Sequence, residues 1–372
     1  MKIVINALQY KTNSSGIGVM IRELFGPFTK ITKQKCQVIL PHDGPAFPGD
    51  DNTEYIRIPW NYKQNIRRMF FQTFQMGYRY CRDAVLLTTD SKMPLFVPDD
   101  CIAVPLITDL AVYRMKEAYQ LSRVLWWRLQ YWFVRRRANF FLAISEFTKK
   151  EMVQLWSLPP EKIYVIPCAC SQNMCRVSER ETLDALRNKY DLPEHFLLYV
   201  GNFNPRKNME RLMRAFDFAK NSRKIEHQLI IAGEQGWKFN KEKALSGIKN
   251  KDDIRFIGFV SDEDMPALYS AADAFLFPTL YEGFGIPVIE AQSCGTPVLT
   301  SNVSSLPEVG GDAAIYVDPY SEQDICEGIL KIVNDPSLMN QLRQKGFENI
   351  KRFSWKKSAE ALCKIIEKEA IR

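Results

Sequence analysis

Short, almost wholly apolar runs alternate along this chain with longer stretches in which apolar residues return every three or four positions. In the first half, residues 2–7, 37–41, 84–88, 102–107 and 139–144 have the first pattern and predict buried strands. Residues 19–25 and 123–137, lying between them, have the second and predict helices. The second half repeats the scheme. Residues 195–200, 228–232, 254–256, 274–277, 296–300 and 314–317 predict strands, and 209–219, 264–271, 287–294 and 321–334 predict helices. Strands that are apolar on both faces, each followed by a helix, imply a parallel sheet covered on both sides. Two such successions predict an α/β chain of two Rossmann-like domains facing each other across a cleft. Open parallel sheets of this kind bind ligands beyond the carboxyl ends of their strands.

With 372 residues the chain has the length of two domains. The expected division is residues 1–170, a linker at 171–192, a second domain at 193–354, and a C-terminal helix at 355–372 that crosses back to the first domain. The linker is placed where Ser-Gln-Asn and a charged stretch separate apolar segments. The last segment is amphipathic, with Trp355, Ala359, Leu362, Ile365 and Ile366 on one side. No run of eighteen apolar residues occurs, so no spanning helix is expected. The first residues, Met-Lys-Ile-Val-Ile-Asn-Ala, read as a buried strand rather than a signal peptide. A cytoplasmic protein, or one peripheral at the inner membrane face, is therefore expected. Nine cysteines lack paired C-x-x-C spacing, and the only histidines are His42, His195 and His227. Reduced thiols and no metal or other cofactor are the expectation.

The net charge of +7 is unevenly placed. Residues 1–170 hold 23 Lys and Arg against 14 Asp and Glu, and the remainder holds 27 against 29. The basic half also interleaves cations with aromatic residues. Arg67, Arg68, Phe70, Phe71, Phe74, Tyr78 and Arg79 form one such stretch. Trp126, Trp127, Arg128, Tyr131, Trp132, Phe133 and Arg135 to Arg137 form another. Cations beside aromatic groups suit an anionic membrane surface or a lipid-linked acceptor, while tryptophans at helical spacing also suit a helix core. Nucleic acid is not an expected partner.

Four stretches carry candidate chemistry. Glu282 and Glu290 stand eight apart around a glycine loop and a short helix, Phe277-Pro-Thr-Leu-Tyr-Glu-Gly-Phe-Gly-Ile-Pro-Val-Ile-Glu290. The N–H groups of Phe284, Gly285 and Ile286 lie at or before the helix start, where negative charge is favoured. Carboxylates for hydroxyls, with amides for phosphate, suit a nucleotide-sugar. Arg206 and Lys207 follow a predicted strand on a short loop, ahead of Asn208 as helix N-cap; two cations there can clamp a diphosphate or simply be solvated. Gly16 and Gly18 follow the first strand, where glycine lets backbone amides approach a phosphate, although a plain turn is equally compatible. Ile21 stands where the dinucleotide fingerprint needs glycine. Asp109 ends a buried strand and either faces the cleft or caps a helix. Ser261-Asp-Glu-Asp264 has the look of a D-x-D metal site, but it leads straight into a helix and reads as a cap with acids in the first turn.

With these residues in view, nearly the whole chain resembles the retaining family 4 glycosyltransferases of the GT-B fold. The acid pair matches that family's E-x7-E motif, supported by Arg206-Lys-Asn208, Gly16-Ile-Gly18, Ile144-Ser-Glu-Phe-Thr148 and Ser304-Ser-Leu-Pro-Glu-Val309. The resemblance implies that Glu282 contacts the donor sugar and Glu290 the ribose. It gives the diphosphate to Arg206 and Lys207, helped by the Gly16 and Gly18 backbone. Phe284, Gly285, Ile286 and Val288 would supply amide contacts, Pro287 would open the helix, and Phe259 and Val260 would flank the base. Two departures stand out. Thr108 precedes Asp109 where many relatives carry histidine, and Cys168-Ala-Cys170 stands where relatives often have Asn-Gly.

The implied reaction is metal-independent transfer of a hexose from a nucleotide diphosphate-sugar to a hydroxyl of a glycan or lipid-linked acceptor. Retention would proceed by same-face attack guided by the leaving phosphate, since no nucleophile stands out. Asp109 would orient acceptor or sugar. The variants of the motifs resemble mannosyltransferases that use GDP-mannose, with UDP- and dTDP-sugars as alternatives, in cell-surface polysaccharide synthesis. A nucleotide-sugar epimerase and a catalytically idle nucleotide-sugar-binding protein remain as rival readings.

Overall fold

The computed structural model describes every residue except 11–15, 47–51, 62, 90–91, 224, 235–239 and 371–372. It divides into two units, Met1–Cys168 with Phe353–Arg372, and Ala169–Arg352. The division falls inside Cys168-Ala-Cys170, where Cys168 is buried.

In the first unit seven parallel strands lie in the order β3-β2-β1-β4-β5-β6-β7. They are β1 (Lys2–Asn6), β2 (Cys36–Leu40), β3 (Thr53–Arg57), β4 (Ala84–Thr88), β5 (Ile102–Ile107), β6 (Phe141–Ala143) and β7 (Ile163–Val165). Central strands are apolar throughout because both faces are covered; β4, Ala-Val-Leu-Leu-Thr, is buried at every position. Among the described strands β3 has only β2 beside it, and it keeps exposed Glu54 and Arg57. Its polar positions leave no apolar run in the sequence.

Helix Trp355–Ala370 belongs to this unit and packs against helix Ile17–Ile31. Its apolar side buries Trp355, Ala359, Leu362 and Ile366. Ser358 Oγ donates to the Pro167 carbonyl oxygen at 2.7 Å, and Tyr164 Oη donates to Glu369 at 2.7 Å.

The second unit has six parallel strands in the order β10-β9-β8-β11-β12-β13. These are β8 (Phe196–Val200), β9 (Gln228–Ala232), β10 (Ile254–Gly258), β11 (Ala274–Phe277), β12 (Val298–Ser301) and β13 (Ala314–Val317). Counted from β8, this is the 3-2-1-4-5-6 order, and the winding direction reverses between β8 and β11. Loops that leave β8 and β11 at their carboxyl ends diverge there and open a crevice. Residues 171–192, expected as a linker, carry the helix Arg180–Tyr190. That helix is tied to Asp264 through Lys189 Nζ and Tyr190 Oη, each at 2.7 Å.

Candidate active site

The loop after β8 is a single tight turn, Pro205–Lys207, ending at Asn208 in the left-handed conformation with φ 59°. Asn208 was expected to cap the following helix, Met209–Arg223. Its carbonyl oxygen accepts from Leu212 N–H at 3.2 Å, as at a helix start, and its side-chain amide donates to the carbonyl oxygens of Pro278 at 2.9 Å and Pro319 at 2.7 Å, while its side-chain oxygen accepts from Arg211. These two prolines follow β11 and β13, so one buried amide ties three strand ends together. Leu280 N–H donates to the Arg206 carbonyl oxygen at 2.9 Å and holds the β11 loop against the β8 loop.

That pairing brings Glu282 to the two cations. Lys207 Nζ donates to Glu282 Oε1 at 2.8 Å, and Arg206 Nη1 lies 3.6 Å from Oε2. Lys207 also sits over the Phe277 ring, 4.6 Å from its centre. Glu282 is only 7% exposed, so solvent cannot carry its charge. Burial alone would raise its pKa, but the Arg206 and Lys207 charges together outweigh burial and hold the carboxyl below its ordinary value.

The backbone around Glu282 is fixed by a pair of serines. Ser305 Oγ lies 2.9 Å from the Glu282 carbonyl oxygen and 2.7 Å from that of Phe284, and Ser304 Oγ accepts from Glu282 N–H at 3.1 Å. Gly285 follows with φ 106°, and a Cβ there would lie 2.7 Å from Leu306 Cδ2. Only glycine meets both conditions. The helix Ile286–Ser293 then begins, with Pro287, which has no N–H to donate, in its first turn. Val288 N–H is turned into the helix, toward the Gly285 carbonyl oxygen at 2.9 Å. Ser304 and Ser305 had no role in the sequence reading, although they lie in a stretch that carried the resemblance.

Glu290 lies farther along this helix and differs from Glu282 in the charges around it. Its one hydrogen-bonding side chain among the described contacts is Tyr269, whose Oη donates to Oε2 at 3.1 Å. Burial pushes its carboxyl up to about 7, the Tyr269 bond opposes that, and the Asp262 charge adds to it. At the end of β10, Phe259 is exposed and Val260 is buried.

Gly16, Gly18 and Asp109 belong to the first unit. Gly16, with φ 60°, precedes helix Ile17–Ile31, and Gly18 is buried in its first turn. The rest of that loop, residues 12–15, lies outside the described residues. Asp109 Oδ1 accepts from Ala111 N–H at 3.0 Å, an Asx-type turn just ahead of Leu110, the residue that opens the short helix Ala111–Arg114. Thr108 and Asp109 are both partly exposed. Ser261 Oγ accepts from Asp264 N–H at 3.3 Å and lies 2.8 Å from Asp264 Oδ2. The Asp-Glu-Asp stretch thus builds the turn into helix Met265–Ala271 and anchors the helix Arg180–Tyr190.

The aromatic–basic stretches divide into inner and outer residues. In helix Leu121–Arg137, Val124, Tyr131 and Val134 are buried, and Tyr131 packs on Trp156 with ring centres 5.0 Å apart. Leu121, Leu125, Leu129 and Trp132 are exposed at helical spacing, and Arg136 lies over the Trp132 ring at 4.2 Å. Ile66, Phe70, Phe74 and Tyr78 make a second exposed series. Among the described residues no helix is long and apolar enough to cross a membrane.

Comparison with known proteins agrees with this architecture. Residues 184–349 match the family described as Glycosyl transferases group 1, and residues 107–171 match Glycosyltransferase Family 4. O-antigen chain mannosyltransferase B of Escherichia coli is 35% identical over 255 residues, 68% of this chain and 67% of that protein. Serotype-specific mannosyltransferase WbdA of Escherichia coli is 30% identical over 227 residues, but the match spans only 28% of that longer protein. Among solved structures, the sucrose-phosphate synthase from Thermosynechococcus elongatus aligns over 99% of both chains with TM-score 0.73 and 19% identity. WaaG, a glycosyltransferase involved in lipopolysaccharide biosynthesis, aligns over 98% of this chain and 99% of its own with TM-score 0.71 and 18% identity. At that identity the structural likeness establishes the GT-B fold.

Proposed function

The chain belongs to the group 1 and family 4 glycosyltransferases, and from that premise we propose that it transfers mannose from GDP-mannose to a hydroxyl of a lipid-linked glycan, with retention at the anomeric carbon. The observation that carries this reading is the meeting of Arg206, Lys207 and Glu282 at the reversal point of the second sheet. Two cations beside one buried acid suit a ligand that joins phosphate to polyol. The diphosphate takes the Arg206 fork and the Lys207 ammonium, and Glu282 accepts from a sugar hydroxyl. As the glycosidic bond breaks, negative charge builds on the leaving diphosphate, and preorganised cations stabilise it without rearranging. The same-face hydroxyl then attacks, and the departing phosphate takes its proton. Glu290 accepts from the ribose, the Phe284, Gly285 and Ile286 amides serve phosphate and sugar, and Phe259 covers the base. Gly16 and Gly18 would serve the phosphate, as the resemblance implies, and Asp109 would orient acceptor or sugar. Mannose as the sugar is supported by the mannosyltransferase relatives. A lipid-linked acceptor at an anionic membrane face is supported by the exposed Leu121, Leu125, Leu129 and Trp132 beside arginines.

A thermal-shift screen with GDP, UDP and dTDP tests the donor, because a ligand that binds only the folded chain raises its melting temperature by mass action. GDP should give the largest shift. Transfer from labelled GDP-mannose to membrane glycolipid extracts tests the reaction. Stabilisation by UDP alone would overturn the donor. Binding without transfer would favour an idle binder, and isomerised donor in the absence of acceptor would favour an epimerase.

A further inference from the structure

His195, His227 and Asp273 come together at the opposite end of the second sheet from the diphosphate loops. Each stands one residue before a strand, β8, β9 and β11 respectively, and these three strands are neighbours in the sheet. The backbone fixes their relative heights: Gln228 N–H donates to the His195 carbonyl oxygen at 3.2 Å, and Asp273 N–H donates to that of Phe196 at 3.0 Å. His195 Nδ1 lies 3.2 Å from Asp273 Oδ2, and His227 Nε2 lies 3.4 Å from the same oxygen. One potential ligand atom from each residue lies within 4.8 Å of the other two.

We propose that His195, His227 and Asp273 form a binding site for a divalent transition metal, with zinc the best fit, that staples the amino-terminal edge of this sheet. The donor set is two imidazoles and one carboxylate, which suits zinc and disfavours the hard cations calcium and magnesium. Zinc–nitrogen and zinc–oxygen bonds of about 2.0–2.1 Å in tetrahedral geometry set ligand atoms about 3.3 Å apart. The two nitrogen–oxygen separations already have that value. Phe196 N–H donates to Asp273 Oδ2 at 3.1 Å and orients the carboxylate, as backbone groups commonly do behind metal ligands. His195 is half exposed and leaves an approach for the ion and for water as fourth ligand. A strand of five residues spans about 17 Å, so the metal would lie well away from Arg206 and Lys207 and act on stability.

Metal-free full-length protein is titrated with zinc by calorimetry and by thermal shift, beside His195→Ala and His227→Ala. The wild type should bind one ion and, at a hundredfold excess over Kd, gain about 5 °C in Tm. His195→Ala, at an exposed position, should fold normally and lose most of that gain. Cobalt substitution separates this site from the free thiols: imidazole and carboxylate ligands give visible bands without the near-ultraviolet thiolate charge-transfer band. Equal zinc stabilisation of wild type and His195→Ala, a thiolate spectrum, or no binding would each overturn the proposal and leave a hydrogen-bonded cluster only.

Discussion

Lys207 donates to Glu282 across 2.8 Å, although 75 residues separate them in the chain. The pair is buried, with side chains 12% and 10% exposed. A buried pair gains little net stability, but leaving one partner alone is costly, on the order of 3–5 kcal/mol. Lys207→Ala should therefore lower Tm, and adding Glu282→Gln should recover part of the loss. The same Lys207→Ala, and Arg206→Ala, should each slow turnover at saturating donor about a hundredfold or more, since one preorganised donor is worth roughly 3 kcal/mol. Near-normal kcat in both single variants would remove the diphosphate clamp.

Glu290 and Glu282 respond to pH in opposite senses. Folded Glu290 keeps its proton up to about pH 7, whereas its ordinary value is 4.5. Between those values the folded chain binds the extra proton, so this residue makes folding less favourable as pH rises through that window. Glu282, held below its ordinary value, contributes stability above 4.5 that is lost as pH falls through its lowered pKa. Glu290→Gln should thus stabilise the fold relative to wild type at pH 8, by on the order of 3 kcal/mol and seen as a higher Tm, and hardly at pH 5. A Tm difference that does not vary with pH would place Glu290 at its ordinary pKa.

An ionised carboxylate accepts from hydroxyls more strongly than a protonated one, so if Glu290 holds the ribose, donor affinity should strengthen as pH rises from 6 to 8. Glu290→Gln should flatten that profile and raise donor KM more than it lowers kcat. Glu282→Gln should act chiefly on kcat. The reverse split would exchange the two roles.

Asn208 holds the ends of β11 and β13 from a left-handed residue, with φ 59°. Asn208→Ala leaves two buried carbonyls without their partner and places alanine in a disfavoured conformation. A loss of about 3 kcal/mol is expected, read as a lowered midpoint in urea. If Asn208 were only a helix cap, Asn208→Ser would restore nearly all of it.

The exposed series on helix Leu121–Arg137 should bind vesicles containing anionic lipid. Leu125→Glu with Leu129→Glu should release the protein from such vesicles in a sedimentation assay while leaving Tm within a degree or two. Unchanged sedimentation would remove the membrane face.

Much of this was legible before the structure. Among the described residues the apolar runs located all strands but β3 and β7, because a strand covered on both faces must be apolar at nearly every position. Edge strand β3 escaped, since it needs apolar residues on one face at most. Helix Pro336–Asn349 escaped as well, because it buries only Leu342, Gly346 and Asn349. Glu282, Glu290, Arg206 and Lys207 stood out by their place after strands and around a glycine loop. The roles of Asn208, Ser304 and Ser305 did not, because their partners are carbonyl groups, which leave no mark in side-chain pattern.

The sequence by itself determined the succession of strands and helices, the paired sheets, and the acids and cations available for chemistry. These are local facts, carried by periodicity and by the company each residue keeps over a few positions. Tertiary structure decided that Glu282 is tied to Lys207 while Glu290, among the described contacts, hydrogen-bonds a tyrosine, so that one carboxyl is held below its ordinary value and the other is raised to about 7. It also decided that two histidines 32 residues apart converge on Asp273. The reason is the parallel sheet. Its neighbours are set by the order β10-β9-β8-β11, and residues that follow or precede adjacent strands meet whatever their separation along the chain.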